Sequence, residues 1–170
     1  MLVDIVLEVA TTPRVALLAR LALGALAGLV AAVVMDVPMG RQEGGFTPAY
    51  VAASVLRRTT PDEVSFRDAN VVHHGAGLLA GVLYAVVLTA SESVVPPVWS
   101  LGGVDLLAHL VAVGVVVGFI YGFFAYLVLP RAGRRIYEEQ STAVRGQWLR
   151  SSLVFGAALA VVAPFLLAFV

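Results

Sequence analysis

Residues 104–129 read VDLLAHLVAVGVVVGFIYGFFAYLVL, the longest nearly uncharged segment of the chain. Apart from tyrosines, its only ionisable residues are Asp105 and His109. At ~1.5 Å per residue, a helix of this length more than crosses the ~30 Å hydrocarbon core of a bilayer. A helix that is apolar on every side has no face to present to water. The stretch therefore predicts a transmembrane helix.

The composition of the whole chain agrees with a membrane protein. Of its 170 residues, 60% are hydrophobic and 13% are charged, and the mean hydropathy is +0.94. An ordinary soluble domain has roughly 45–50% apolar and about 25% charged residues. The formal net charge is zero, so no global field favours nucleic acid. The chain has no cysteine, which excludes disulfides, thiol catalysis and iron–sulfur clusters.

Four segments are long and apolar enough to cross a bilayer, at about residues 15–37, 71–90, 104–129 and 149–170. We predict an all-α fold, a single polytopic membrane domain over residues 1–170 with four transmembrane helices in a compact bundle. Residues 38–70 and 130–148 form its two longer connections. Thr47-Pro48 is typical of a helix start, which predicts a short amphipathic helix in the first connection. Residues 1–13 indicate either a surface helix or an irregular terminus.

The distribution of arginine predicts the orientation. Nine of the eleven basic residues lie in or beside the two longer connections. The positive-inside rule then places these connections in the cytoplasm and both termini outside, in the cell membrane. The positive-inside rule alone accounts for all nine residues. Three of them could also bind an anionic lipid, namely Arg131, Arg134 and Arg135.

Small residues recur four apart in every span. In lipid, such residues allow two helices to approach closely. We expect them to pack the bundle or to form the interface of a homo-oligomer, and the third span is the favoured place for either. The glycines concerned are Gly24, Gly28, Gly77, Gly81, Gly114, Gly118, Gly122 and Gly156.

Four polar residues lie at the predicted cytoplasmic edge, namely Asp36, Asn70, His73 and His74. At roughly 100° per residue, Asn70 and His73 share a stripe of the second span with Tyr84, and His74 lies away from it. His73 is therefore the better candidate for an inward position. A carboxylate facing an imidazole can relay protons or form part of a metal site. Helix capping or hydrogen bonding to lipid headgroups is the alternative.

Asp105 and His109 form a second polar pair, near the outer edge. Their spacing would let the carboxylate orient the ring or share a metal with it, and a simple hydrogen bond is the alternative. A haem held by His74 and His109 together is excluded, because helical rise leaves them ~16 Å apart along the membrane normal. Only a haem with one histidine from this chain, or one completed by a partner chain, remains open.

The glycine-rich residues 24–34, GALAGLVAAVV, lead into MDVPM at 35–39, and residues 73–87 read HHGAGLLAGVLYAVV. These segments resemble uncharacterised small four-helix integral membrane proteins of archaea and bacteria. In those proteins, a first span ending in Met-Asp or Met-Thr precedes a second span that begins with His. The resemblance covers about the first half of the chain and implies no activity.

Three hypotheses for the function remain. No nucleotide loop, nucleophile elbow or HExxH motif is present, so the leading one is a non-enzymatic subunit of a larger membrane complex or a homo-oligomer. The second is a small transporter or channel with Asp36 and His73 in a proton or ion path. The third is a haem- or metal-binding membrane protein. No cofactor is predicted from the residues alone.

Overall fold

The computed structural model describes residues 13–101 and 103–168, and this part of the chain is mostly helical. Four helices are long and apolar enough to cross a membrane, which confirms the prediction of four such helices. Residues 1–12, most of the proposed surface helix, lie outside the described part. In chain order the elements are α1 (Pro13–Arg41), α2 (Thr47–Arg57), a 3₁₀ turn (Pro61–Glu63), α3 (Phe66–Val94), β1 (Ser100–Leu101), β2 (Val104–Asp105), α4 (Leu106–Phe123), a π-helical segment (Phe124–Val128), α5 (Leu129–Ala132) and α6 (Arg135–Leu167).

The helices are longer than the predicted spans. α1 continues through Pro38, where the side-chain amide of Gln42 donates to the Pro38 carbonyl at 2.8 Å. α3 begins earlier than predicted, because the Ser65 hydroxyl accepts a hydrogen bond from the amide of Asp68 and caps the helix. α6 includes most of residues 130–148, so the second connection is largely helical. Hydropathy marks only the apolar part of each helix.

The third span begins two residues later than predicted. Val104 and Asp105 pair antiparallel with Ser100 and Leu101 in a two-stranded ribbon, a short exception within a mostly helical fold. Gly103 has φ of +77° in the intervening turn, a backbone conformation that suits glycine. Asp105 caps α4 by accepting a hydrogen bond from the amide of Ala108 at 2.9 Å.

α4 does not end before Pro130, as its sequence suggested, but continues through the π-helical segment into α5. The amide of Leu129 bonds to the carbonyl of Phe124, five residues back, so the turn is wider than an α-turn. The carbonyl of Ala125 accepts a hydrogen bond from Nε of Arg145 at 3.2 Å. Phe124 and Ala125 are buried in this wide turn.

α1 and α3 are antiparallel and meet through glycines. A Cβ built on Gly24 would lie 2.7 Å from the carbonyl oxygen of Gly81, and one on Gly28 would lie 2.6 Å from the amide nitrogen of Gly81. Neither position has room for a methyl group. Gly77 is similarly close to Gly28, and Gly156 of α6 packs against Val117 of α4.

The glycines of the third span do not pack in this way. A Cβ built on Gly114, Gly118 or Gly122 meets no atom within 4 Å in the described part of the chain. Of the two roles expected for the glycines of this span, packing against the described part of the chain is not observed, and the interface of a homo-oligomer stays a prediction. The closest helix approach is between α1 and α3.

Both longer connections lie at the same end of the molecule. Val51 of α2 packs in one buried cluster with Phe124, Leu129 and Val144. The side-chain amide of Gln147 donates to the carbonyl of Glu43 at 2.6 Å. At the opposite end, Arg20 pairs with Glu92 at 2.6 Å. The arginine-rich connections therefore share one end, as the arginine distribution requires.

Candidate metal centre

The contact between α1 and α3 determines which polar side chains meet. Gly28 lies against Gly77, and the same antiparallel register puts Ala32 opposite His73. Nε2 of His73 is 3.3 Å from the carbonyl oxygen of Ala32. One turn further along α1, Asp36 reaches the first turns of α3.

Asp36 lies against both histidines of the second span. Its Oδ1 is 3.2 Å from Nε2 of His73, and its Oδ2 is 3.0 Å from Nε2 of His74. One ligand atom from each of these three residues lies within 4.8 Å of the other two. The helical wheel had favoured His73 alone. His74 also reaches the carboxylate, because its ring extends sideways from the helix.

Asn70 contributes to this polar cluster through its backbone carbonyl and not through its side chain. Its carbonyl oxygen is 2.9 Å from Nδ1 of His74. Because a carbonyl only accepts hydrogen bonds, Nδ1 carries a proton, and Nε2 of a neutral ring then has a bare lone pair. That lone pair faces a carboxylate oxygen of Asp36 at 3.0 Å. Two such acceptors repel each other unless a proton or a metal cation lies between them.

Asp36 also has an unsatisfied acceptor. Its Oδ1 is buried and accepts no hydrogen bond within the described residues. Nε2 of His73 is 3.2 Å away, but the geometry of a hydrogen bond is met only toward the carbonyl of Ala32, so this nitrogen carries a proton here and would have to give it up to bind a metal. An unpartnered buried carboxylate oxygen is costly, and a bound cation would satisfy it.

The donor set fits a divalent transition-metal ion. Zinc is bound by histidine nitrogen and carboxylate oxygen at ~2.0–2.2 Å in tetrahedral geometry, so two ligands of one ion are about 3.4 Å apart. The atoms here, within 4.8 Å of one another, need to approach by up to about 1.4 Å to reach that spacing. Two histidines and one carboxylate leave further coordination positions open, an arrangement also used by non-haem iron. The bond from Nδ1 of His74 to a backbone carbonyl is the usual support for a metal-bound imidazole.

The site is reachable from the end of the molecule. The side chain of His73 is 6% exposed, whereas those of Asp36 and His74 are 30% and 21% exposed. An ion can therefore enter past Asp36 and His74 and meet His73 at the inner side.

The outer pair does not form as predicted. Asp105 accepts hydrogen bonds from the amides of Ala108 and Val98, and these backbone bonds, chiefly the one from Ala108, hold the pKa of its carboxyl below its usual value. His109 is buried, with Nδ1 2.6 Å from the hydroxyl of Tyr84 and Nε2 3.0 Å from the carbonyl oxygen of Ala160. Both ring nitrogens are thus engaged, which opposes a metal or haem ligand role for His109.

Sequence reasoning missed the contact between Tyr84 and His109, which joins α3 to α4. The two rings meet edge to face, with centroids 5.6 Å apart. One available signal was the position of Tyr84 on the same stripe of α3 as His73. The sequence did not indicate that His109 would lie opposite Tyr84.

Comparison of this chain with protein-family models, with curated proteins and with solved structures found no match.

Proposed function

We propose that this chain is a multi-pass protein of the cell membrane that binds one divalent transition-metal ion through Asp36, His73 and His74. The four apolar helices would cross the bilayer as a compact bundle, with both arginine-rich connections in the cytoplasm and both termini outside. The metal site then lies at the cytoplasmic edge, where hydrated ions are available.

One observation carries the metal assignment. Nδ1 of His74 is committed to the carbonyl of Asn70, and its Nε2 faces the carboxylate of Asp36 at 3.0 Å. A metal ion supplies the positive charge that this arrangement requires, and it uses His73 as the third ligand. A proton shared between His74 and Asp36 would satisfy that pair, but Oδ1 of Asp36 would still face only the Nε2 of His73 at 3.2 Å, outside hydrogen-bond geometry.

Transport along the bundle is less well supported. A path from His73 to the contact between Tyr84 and His109 must cover ~16 Å along α3, which is the helical rise from residue 73 to residue 84. Over this distance α1 and α3 are in backbone contact through Gly28, Gly77 and Gly81. Such contact leaves no room for an ion or a water chain between these two helices.

Elemental analysis of the detergent-purified protein tests the proposal. We expect one equivalent of zinc or another divalent transition metal after loading and removal of excess ion. His74→Ala and Asp36→Asn should each lose most of this metal, and Asp62→Asn, at an exposed carboxylate in the 3₁₀ turn, should retain it. A wild-type protein without stoichiometric metal, or equal retention by all three variants, would remove metal binding as the function.

Self-association is a second candidate, favoured by the outward glycines of α4. Gly114 and Gly118 are exposed and have no neighbouring atom where a Cβ would stand, and exposed Leu110, Val111 and Val115 lie beside them. This surface would let α4 of a second copy approach closely. The chain would then act as a homo-oligomer, without an enzymatic role.

Mass measurement in detergent tests this second candidate. We expect an oligomer that Gly118→Leu converts to monomer, because the new side chain blocks the approach of a second helix. Gly75→Leu, at another helical glycine with no atom within 4 Å, is the matched control and should leave the oligomer intact. A wild-type protein that is monomeric at all concentrations would exclude self-association.

A further inference from the structure

An apolar cleft opens beside the metal site. Its volume is about 460 Å³, within the range of small-molecule sites, and it lies between α2, α3 and the second half of α4. His73 is the only ionisable residue among those that line it. The cleft therefore combines a hydrocarbon-like interior with a single polar position at its inner side.

Aromatic rings form much of the wall. Phe119 and Phe123 stack with centroids 5.5 Å apart, and Phe124 lies against Trp148 at 5.1 Å. Phe155 completes the set. Aromatic side chains favour a flat partner, because they can stack on its face or meet its edge.

The rim of the cleft faces outward. Leu79 is 71% exposed, and Phe119 and Phe123 are about half exposed. In a chain that spans the bilayer, these side chains contact lipid, so the cleft is entered from the membrane and not from water. A ligand that enters there must itself be lipophilic.

His73 offers one unused hydrogen-bonding atom. Its Nε2 faces Ala32 and Asp36, and its Nδ1 makes no hydrogen bond within the described part of the chain. When Nε2 binds a metal, Nδ1 carries the ring proton and normally donates it to an oxygen. A purely hydrocarbon occupant would leave this N–H unpaired, which is unfavourable away from water.

We infer that the cleft binds a lipophilic molecule with a flat, oxygen-bearing ring, the chemistry of a membrane quinone. The ring lies among the aromatic side chains, its oxygen accepts the Nδ1 hydrogen of His73, and its tail leaves through the rim into the lipid. This inference rests on the proposed metal site, because the metal fixes the proton on Nδ1.

Fluorescence of Trp148 tests the inference. The chain has two tryptophans, and Trp99 is 68% exposed near the opposite end, so Trp99→Phe leaves Trp148 as the only reporter. Titrating this variant, loaded with zinc in detergent, with a short-tailed benzoquinone should give saturable quenching. A straight-chain alcohol with the same tail should not compete.

Two further substitutions locate the ligand. Ala76 lines the cleft, and Ala76→Phe should fill it and weaken quinone binding by roughly tenfold or more. Ala90→Phe, at an exposed position on the same helix outside the cleft, should leave binding unchanged. Quenching without saturation, full competition by the alcohol, or equal affinity of both variants would overturn the inference.

Metal content is measured on the same samples, so that a failure of the metal site can be distinguished from a failure of the quinone ligand. Stoichiometric zinc without quinone binding refutes only the ligand. Absence of zinc refutes the metal site. Removal of the metal by a chelator should weaken quinone binding, and unchanged binding would show that His73 does not donate to the ligand.

Discussion

The contact between α1 and α3 can be tested by adding one methyl group at its closest point. In Gly28→Ala, the new Cβ would lie 2.6 Å from the amide nitrogen and 2.7 Å from the Cα of Gly81, and it would overlap the carbonyl oxygen of Gly77. These are backbone atoms, which cannot rotate away. To move from 2.6 Å to the 3.4 Å of an ordinary contact, the helices must separate by about 0.8 Å or more.

The expected cost follows from two opposing effects. Replacing glycine by alanine inside a helix stabilises it by ~0.5–1 kcal/mol. Overpacking a closed contact costs ~1–3 kcal/mol, and clashes with backbone belong at the upper end. Gly28→Ala should therefore be destabilising by ~1–2 kcal/mol in sum. Gly146→Ala, at an exposed glycine of α6 with no atom within 4 Å, has the same helix effect without a clash, and should be neutral or stabilising by up to ~1 kcal/mol.

Unfolding in detergent, followed by circular dichroism, measures both variants under the same conditions. The separation of α1 and α3 should also widen the space between Asp36 and the two histidines, so Gly28→Ala should bind metal roughly tenfold more weakly. If Gly28→Ala and Gly146→Ala change the free energy of unfolding by the same amount, the close packing of α1 on α3 is refuted.

Three further predictions concern other parts of the chain. Tyr84→Phe removes the hydroxyl that bonds His109 at 2.6 Å and leaves a buried ring nitrogen unpaired. The free energy of unfolding should therefore fall by ~1–3 kcal/mol, and an unchanged free energy would refute that hydrogen bond. Hydrogen bonds from the Thr59 hydroxyl and the Thr60 amide hold the pKa of Glu63 below its ordinary value of 4.5, so the stability they contribute is present above that pH and is lost as pH falls through the lower folded pKa. NMR titration should show the Glu63 pKa rise in Thr59→Val, and an equal pKa in both proteins would contradict this assignment. The amount of anionic lipid retained after purification should fall when Arg131, Arg134 and Arg135 are replaced together by glutamine, but not when Arg41 alone is replaced. Equal retention by the two variants would mean that these arginines serve the topology only.

Much of the fold was predictable because hydropathy and length act locally. An apolar stretch in lipid would have to be helical, and each of the four is long enough to cross a bilayer. The helix ends were less predictable, because they depend on capping groups such as Ser65 and Asp105 and not on hydropathy. The continuation of α4 past Pro130 was missed for a similar reason, since a π-helical turn accommodates the missing amide.

The candidate site was only partly predictable. The sequence identified Asp36 and His73 as ionisable residues at one edge, which is a matter of position along each helix. It gave the wrong weight to His74, because a helical wheel describes where the Cβ points and not how far an imidazole reaches. The predicted pairing of Asp105 with His109 failed because backbone amides compete for the carboxylate at a helix start.

The outward glycines show a similar difficulty. Spaced glycines in α3 and α4 look alike in sequence, yet Gly77 and Gly81 meet backbone and Gly114 and Gly118 meet nothing within the described chain. Which face of a helix is turned inward depends on its neighbours, and the apolar residues around α4 are too uniform to indicate it.

X-ray absorption at the zinc edge of the loaded protein tests the central claim most directly. We predict nitrogen and oxygen ligands at ~2.0–2.1 Å with the outer-shell scattering of two imidazoles, and the loss of one imidazole in His73→Asn. Zinc surrounded only by oxygen, or an unchanged spectrum in His73→Asn, would contradict a metal site built from Asp36, His73 and His74.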